Sequence, residues 1–199
     1  MRKSFGFDLD NTLIDYSGAV EEYCRLKTLI PCTNIGMLRE QLGKDSSSDY
    51  EWQLAQGWLY TEGLQFAQLG YGSIDLCNYL TQQGFQLYIV SHKTSHTPDF
   101  CGSIPLHDLA TKWIKKSAIK NYFKETERIY YEPTRRAKVK RIRELAVSYF
   151  VDDLEEVFKE SEFPISTKSF LIYKTSSQNP NLKCVRDFNE IEEILANGF

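Results

Sequence analysis

The chain has 199 residues, of which 42% are hydrophobic and 26% charged, and its formal net charge is −3. This length gives one domain of ordinary size with room for a small subdomain and a sizeable core, and the composition excludes disordered and fibrous classes. The weakly acidic balance argues against nucleic acid or an anionic membrane as the main partner, and no stretch approaches the roughly 20 apolar residues of a membrane helix.

Residues 4–9 read as a short buried strand that ends in carboxylates, and the few apolar residues before Asp8 are too short and too acidic for a secretory leader. Residues 17–29 show helical spacing in Val20, Tyr23, Cys24 and Leu26 until Pro31 stops the pattern. A second helix is predicted over 34–42 with Gly43 closing it, then a serine-rich polar loop over 44–49, then an aromatic- and glutamine-rich helix over 50–69. Gly70 and Gly72 punctuate the chain, and the pattern changes to alternating helices and strands. Helices are predicted over 74–83, 109–116, 137–146 and 188–195, and strands over 85–90, 128–131, 149–151 and 170–173. A long irregular stretch separates 91 from 106.

Strands alternating with helices predict an α/β fold, a Rossmann-like parallel sheet with helices on both faces. Residues 16–71 are predicted all-helical and lie between the first strand and the next αβ unit, as expected for a small cap inserted into the core formed by 1–15 and 72–199. The five cysteines, Cys24, Cys32, Cys77, Cys101 and Cys184, are scattered and include no CxxC pair, so reduced thiols in a cytoplasmic protein are expected. No glycine-rich nucleotide loop is present.

Four short pieces carry candidate chemistry. In Phe7-Asp8-Leu9-Asp10-Asn11-Thr12-Leu13, two acids two residues apart follow an apolar strand, at the edge where open α/β sheets bind ligands. Side chains at i and i+2 share a side, so both carboxylates can face one cleft, one attacking while the other moves a proton. A pair of acids in a surface turn is the plainer alternative. In Leu87-Tyr88-Ile89-Val90-Ser91, a hydroxyl follows an apolar strand, suited either to a phosphoryl oxygen or simply to a turn. The basic run from Arg135 to Arg141 reads mostly as a solvated helix face. One of Arg135, Arg136, Lys138 and Lys140 can neutralise a phosphate, and Lys138 is preferred because it stands four before Ile142, at the head of an inward-facing row. In Tyr149-Phe150-Val151-Asp152-Asp153, two acids again follow a buried strand; they suit Mg²⁺, a helix N-cap, or one of each.

In this order the four pieces resemble the haloacid dehalogenase-like hydrolase superfamily, over the whole chain apart from the helical insertion, which lies where that superfamily carries its C1 caps. The resemblance implies a Mg²⁺-dependent phosphatase acting on a small phosphorylated metabolite through an aspartyl-phosphate. Asp8 then corresponds to the nucleophile and Asp10 to the general acid/base, with its backbone carbonyl on the metal. Thr12 supports the loop and adjoins the phosphate, Ser91 and Lys138 bind phosphate, and Asp8, Asp10, Asp152 and Asp153 form the metal set. Dehalogenases lack an acid at the position of Asp10, because halide leaves without a proton. A phosphotransferase or mutase, or a non-catalytic binding module, shares the same motifs. The stretch over 91–101 is longer than the superfamily's usual link. His92 and His96 are expected at the cleft mouth or on a polar surface loop, without the spacing of a zinc site. Trp52, Trp58, Tyr60 and Phe66 are expected in the cap core or on a wall above the site. The sequence names neither the substrate nor the oligomeric state.

Overall fold

In the computed structural model the described residues are 3–43, 46–124, 126–174, 176, 177, 179 and 182–198. The chain begins with β1 (Ser4–Phe7), passes a two-residue strand β2 (Ile14–Asp15), and enters helices α1 (Ser17–Leu26), α2 (Ile35–Leu42) and α3 (Ser46–Leu59). A 3₁₀ turn at Glu62–Phe66 leads into β3 (Gln68–Leu69), which pairs antiparallel with β2. The helical segment thus leaves and rejoins the chain through one short ribbon, Ile14 opposite Leu69 and Asp15 opposite Gln68. Next come α4 (Ser73–Gln82), β4 (Gln86–His92), α5 (Leu106–Lys116), β5 (Ile129–Glu132) and α6 (Arg135–Glu144). The chain finishes with β6 (Tyr149–Asp152), α7 (Glu155–Phe158), β7 (Lys168–Ile172), β8 (Leu182–Val185) and α8 (Phe188–Ala196).

Six strands form one parallel sheet in the order β5-β4-β1-β6-β7-β8. Both faces are covered, which is why its strands read as apolar runs. Side chains alternate between two cores. Phe5, Phe7, Ile89, Val151 and Phe170 pack with Leu76 and Leu80 of α4, Ile114 of α5 and Ile191 of α8. Val90, Phe150 and Leu171 pack on the other face with Val139 and Ile142 of α6 and Val157 of α7. β1 lies at the centre, and Gly6 allows β6 to approach it: a Cβ there would stand 2.6 Å from a ring carbon of Phe150. The chain crosses from one side of β1 to the other between β4 and β6, so the crevice beyond their carboxyl ends lies at the switch point where open α/β sheets bind ligands.

The predicted helix over 50–69 is divided. It starts earlier, at Ser46, and stops at Leu59, after which the Thr61 hydroxyl donates to the Gly57 carbonyl at 2.7 Å and the chain tightens to 3₁₀ geometry. Residues 44 and 45 of the predicted polar loop lie outside the described residues. The irregular stretch is shorter than predicted, since β4 runs to His92 and α5 begins at Leu106. Among the described residues β2, β3, α7 and β8 had no counterpart in the sequence reading, nor had the 3₁₀ turns at Asp99–Cys101, Ala118–Asn121 and Thr126–Arg128. Among the described residues no helix is long and apolar enough to cross a membrane.

Candidate active site

The carboxyl ends of β1, β4 and β6 bring three of the four motifs together, and the first turns of α6 bring the fourth. Beyond β1 the chain turns sharply through Asn11, whose φ of 59° is a left-handed conformation that asparagine tolerates. The Ile14 N–H closes this turn on the Leu9 carbonyl at 2.8 Å. Asp8 and Asp10 both face one cleft of about 570 Å³, whose walls also carry Asp152, Asp153 and Lys138 from the core. The helical insertion adds Arg39, Gln53, Gln56 and Tyr60.

Lys138 is the hub. The Thr134 hydroxyl caps α6 by accepting from the Ala137 N–H at 3.1 Å, which sets the helix phase and turns Lys138 inward with Val139 and Ile142. Its Nζ donates to Asp8 Oδ1 at 2.5 Å and to Asp152 Oδ2 at 2.6 Å, and the side chain is only 2% exposed. Burial pulls its pKa down, but Asp152 and Asp8 more than reverse that, so the ammonium is held charged. The other basic candidates point elsewhere. Arg136 and Lys140 lie outside, paired with Glu162 and Glu144, and Arg135 reaches the cleft edge paired with Glu160.

Carboxylate oxygens of Asp8, Asp152 and Asp153 lie within 4.8 Å of one another. Burial raises the Asp8 pKa to about 7, with Lys138 pulling down and Asp152 pushing up. Burial, with Asp152 and Asp8 beside it, also raises Asp153 well above the usual carboxylate range. One ammonium does not offset three close carboxylates. A divalent cation does, and hard oxygen donors in a tight group are the set Mg²⁺ takes. These three residues therefore fit a bound divalent metal. The Asp10 carboxylate stands apart from them: Tyr16 Oη donates to its Oδ1 at 2.7 Å and Lys93 Nζ to its Oδ2 at 2.6 Å.

A pH dependence follows from the raised Asp8 pKa. A carboxyl whose folded-state pKa lies above its unfolded value stabilises the fold when protonated, and that contribution is lost as pH rises from about 4 through about 7. Asp8→Asn, which cannot ionise, is expected to become progressively more stable than the native protein over that window in EDTA. Urea titrations of both proteins at pH 5 and pH 8 measure the widening gap.

The remaining sequence-predicted residues sit at different depths. The Ser91 hydroxyl, one residue before the end of β4, is fully buried, does not line the cleft and has no hydrogen-bond partner. His92, one residue on, is exposed and lines the cleft; partial burial and Lys138 lower its pKa. Thr12 is buried away from the cleft lining, where its Oγ1 donates to Asp153 Oδ1 at 3.4 Å, so it braces the metal-side acid. His96 is exposed and turned to Ser95. Among the four aromatics, Tyr60 lines the cleft, Trp52 is buried, and Trp58 stacks with Phe66.

Sequence reasoning missed Lys93, Tyr16 and Arg39. Lys93 is 5% exposed, its Nζ lies 4.1 Å from the centre of the Tyr60 ring, and its carbonyl is held by His107 Nε2 at 3.0 Å. The sequence carried no local signal for it, because it stands one residue past β4 inside an apparently polar loop. Tyr16 is buried against Asp10, and burial with that neighbouring charge raises its pKa.

The sequence matches no protein-family model and no curated protein. Solved structures do resemble it. A haloacid dehalogenase-like family hydrolase from Streptococcus pneumoniae superposes with a TM-score of 0.62 at 18% identity, covering 98% of each chain. A predicted phosphatase from Clostridium acetobutylicum gives 0.62 at 14% identity over 100% of both chains. Protein tyrosine kinase A from Mycobacterium tuberculosis gives 0.64 at 16% identity over 98% of both. From its central parallel sheet to its helical insertion, the chain has the fold of the haloacid dehalogenase-like hydrolases.

Proposed function

We propose that the protein is a divalent-metal-dependent phosphatase that hydrolyses a small phosphomonoester through an aspartyl-phosphate, an acyl phosphate on Asp8. The observation that carries the reading is the close group of Asp8, Asp152 and Asp153, with buried Lys138 bonded to the first two, at the carboxyl ends of the central strands. A kinase shares this fold, so the fold by itself does not choose the reaction.

In the first step an Asp8 carboxylate oxygen bonds to phosphorus while the bond from phosphorus to the ester oxygen breaks. Asp10 gives that oxygen its proton, and the alcohol leaves. In the second step Asp10 takes a proton from water, the water oxygen bonds to phosphorus, and the bond to Asp8 breaks to release inorganic phosphate. Lys138 neutralises charge on Asp8 and on the transferring oxygens. Lys93 and Tyr16 hold Asp10 in place. Asp8, Asp152 and Asp153 would hold a divalent cation, which would supply charge to offset the repulsion between carboxylate and phosphate dianion. Mg²⁺ is the ion this oxygen set favours. The insertion acts as the cap of the site, and free thiols at all five cysteines support a reducing, cytoplasmic setting.

Hydrolysis of p-nitrophenyl phosphate tests the reading. Phosphate release is expected with Mg²⁺ and is lost in EDTA. Transfer to an added alcohol with no free phosphate formed would instead indicate a phosphotransferase.

A further inference from the structure

We propose that the substrate carries a second anionic group besides the reacting phosphate, a carboxylate or another phosphate, and that Arg39 holds it. This deepens the phosphatase reading and rests on it for the identity of the reacting group.

Four permanent cations line the cleft: Arg39, Lys93, Arg135 and Lys138. Three are already committed. Lys93 is paired with Asp10, Lys138 with Asp8 and Asp152, and Arg135 with Glu160 at 2.6 Å. Arg39 alone has no carboxylate partner among the described residues. It comes from α2, so it belongs to the insertion's wall and not to the reacting centre. Its side chain is exposed, but it rests against an aromatic neighbour. Its guanidinium carbon lies 5.0 Å from the centre of the ring of Trp52, which is itself buried. A guanidinium beside an aromatic ring keeps N–H donors for a two-point contact with a carboxylate or phosphate.

The rest of the cleft agrees with this division. Lys138 and the three-aspartate group serve the reacting phosphoryl. On the insertion side Gln53 and Gln56, one turn apart on α3, line the cleft with neutral amides, as Arg39 lines it with a cation. A volume of about 570 Å³ is more than a phosphoryl group alone fills and leaves space for a short chain reaching toward Arg39. A guanidinium on the cleft wall without a carboxylate of its own favours an anionic end over a methyl group, which offers it no partner.

Phosphonates, which bind without turnover, give the test. Calorimetry on the full chain with Mg²⁺ compares alkylphosphonates with carboxyalkylphosphonates and bisphosphonates over a graded set of chain lengths. At some length an anionic end is expected to tighten binding about tenfold or more over the neutral chain, and which anion wins distinguishes carboxylate from phosphate. Arg39→Gln is expected to bring that ratio close to one, and Arg39→Met, which keeps the stem over Trp52, serves if the first variant does not fold. A ratio near one for the native protein at every length, or a ratio unchanged in the variant, overturns the inference. Selective binding with no hydrolysis of the matching phosphate esters leaves it standing and refutes the phosphatase reading. Hydrolysis without selectivity does the reverse.

Discussion

Asp8→Asn lowers Mg²⁺-dependent hydrolysis of p-nitrophenyl phosphate by about 10³-fold or more. The carboxylate oxygen that bonds to phosphorus is replaced by a poorly nucleophilic amide of nearly the same volume. The loss is kinetic and not structural, because the native carboxylate sits where burial and Asp152 already raise its pKa to about 7. An uncharged side chain relieves that strain on the fold. The variant is therefore expected to melt no lower than the native protein at pH 8 in EDTA, and to lose turnover when both are assayed with Mg²⁺. Parallel melting curves and initial rates measure both; a variant that keeps its activity removes Asp8 from the nucleophile's role.

Lys138→Met has the largest expected effect on stability. The side chain is 2% exposed, and its ammonium is the positive charge in contact with Asp8 and Asp152. Breaking a buried pair from one side leaves the other charge uncompensated, at a cost of about 3–5 kcal/mol. Here Asp8, whose pKa burial already raises, is able to protonate, and a bound cation replaces some of the lost charge. The loss is thus expected to be larger in EDTA than in Mg²⁺. Urea unfolding in both media checks this, and equal losses in the two would count against a metal held by these acids. Activity is also expected to fall by about 10²-fold, as for loss of one charge-stabilising donor.

The parts of the site that could be read from the sequence are those where local pattern and tertiary role coincide. Phe5 and Phe7, like Phe150 and Val151, lie in strands buried on both faces, so an unbroken apolar run ended by acids marked both strand ends. Lys138 could be chosen from its basic neighbours because helical periodicity ties it to Ile142, and the buried face of α6 is Lys138, Val139 and Ile142. The Asp10 anchors were not legible. Lys93 meets its partner across 83 residues, and nothing local distinguishes it from a loop lysine. β2 and β3 are two residues each, too short for any alternation to register. β8 is an edge strand with Lys183 exposed, whose Leu-Lys-Cys-Val pattern is faint beside the central strands. The division of the long predicted helix came from Thr61 and the 3₁₀ turn, a local competition for backbone groups that apolar spacing does not reveal.

The central claim is that Asp8 forms a bond to phosphorus. Acid quenching during turnover with Mg²⁺, followed by borohydride reduction and peptide mass mapping, reads this directly, because reduction converts an aspartyl phosphate to homoserine. The expected result is homoserine at position 8 and at no other aspartate, absent without substrate and absent in Asp8→Asn. Steady hydrolysis with every aspartate unmodified, or with the mark on Asp10, Asp152 or Asp153 instead, would contradict it.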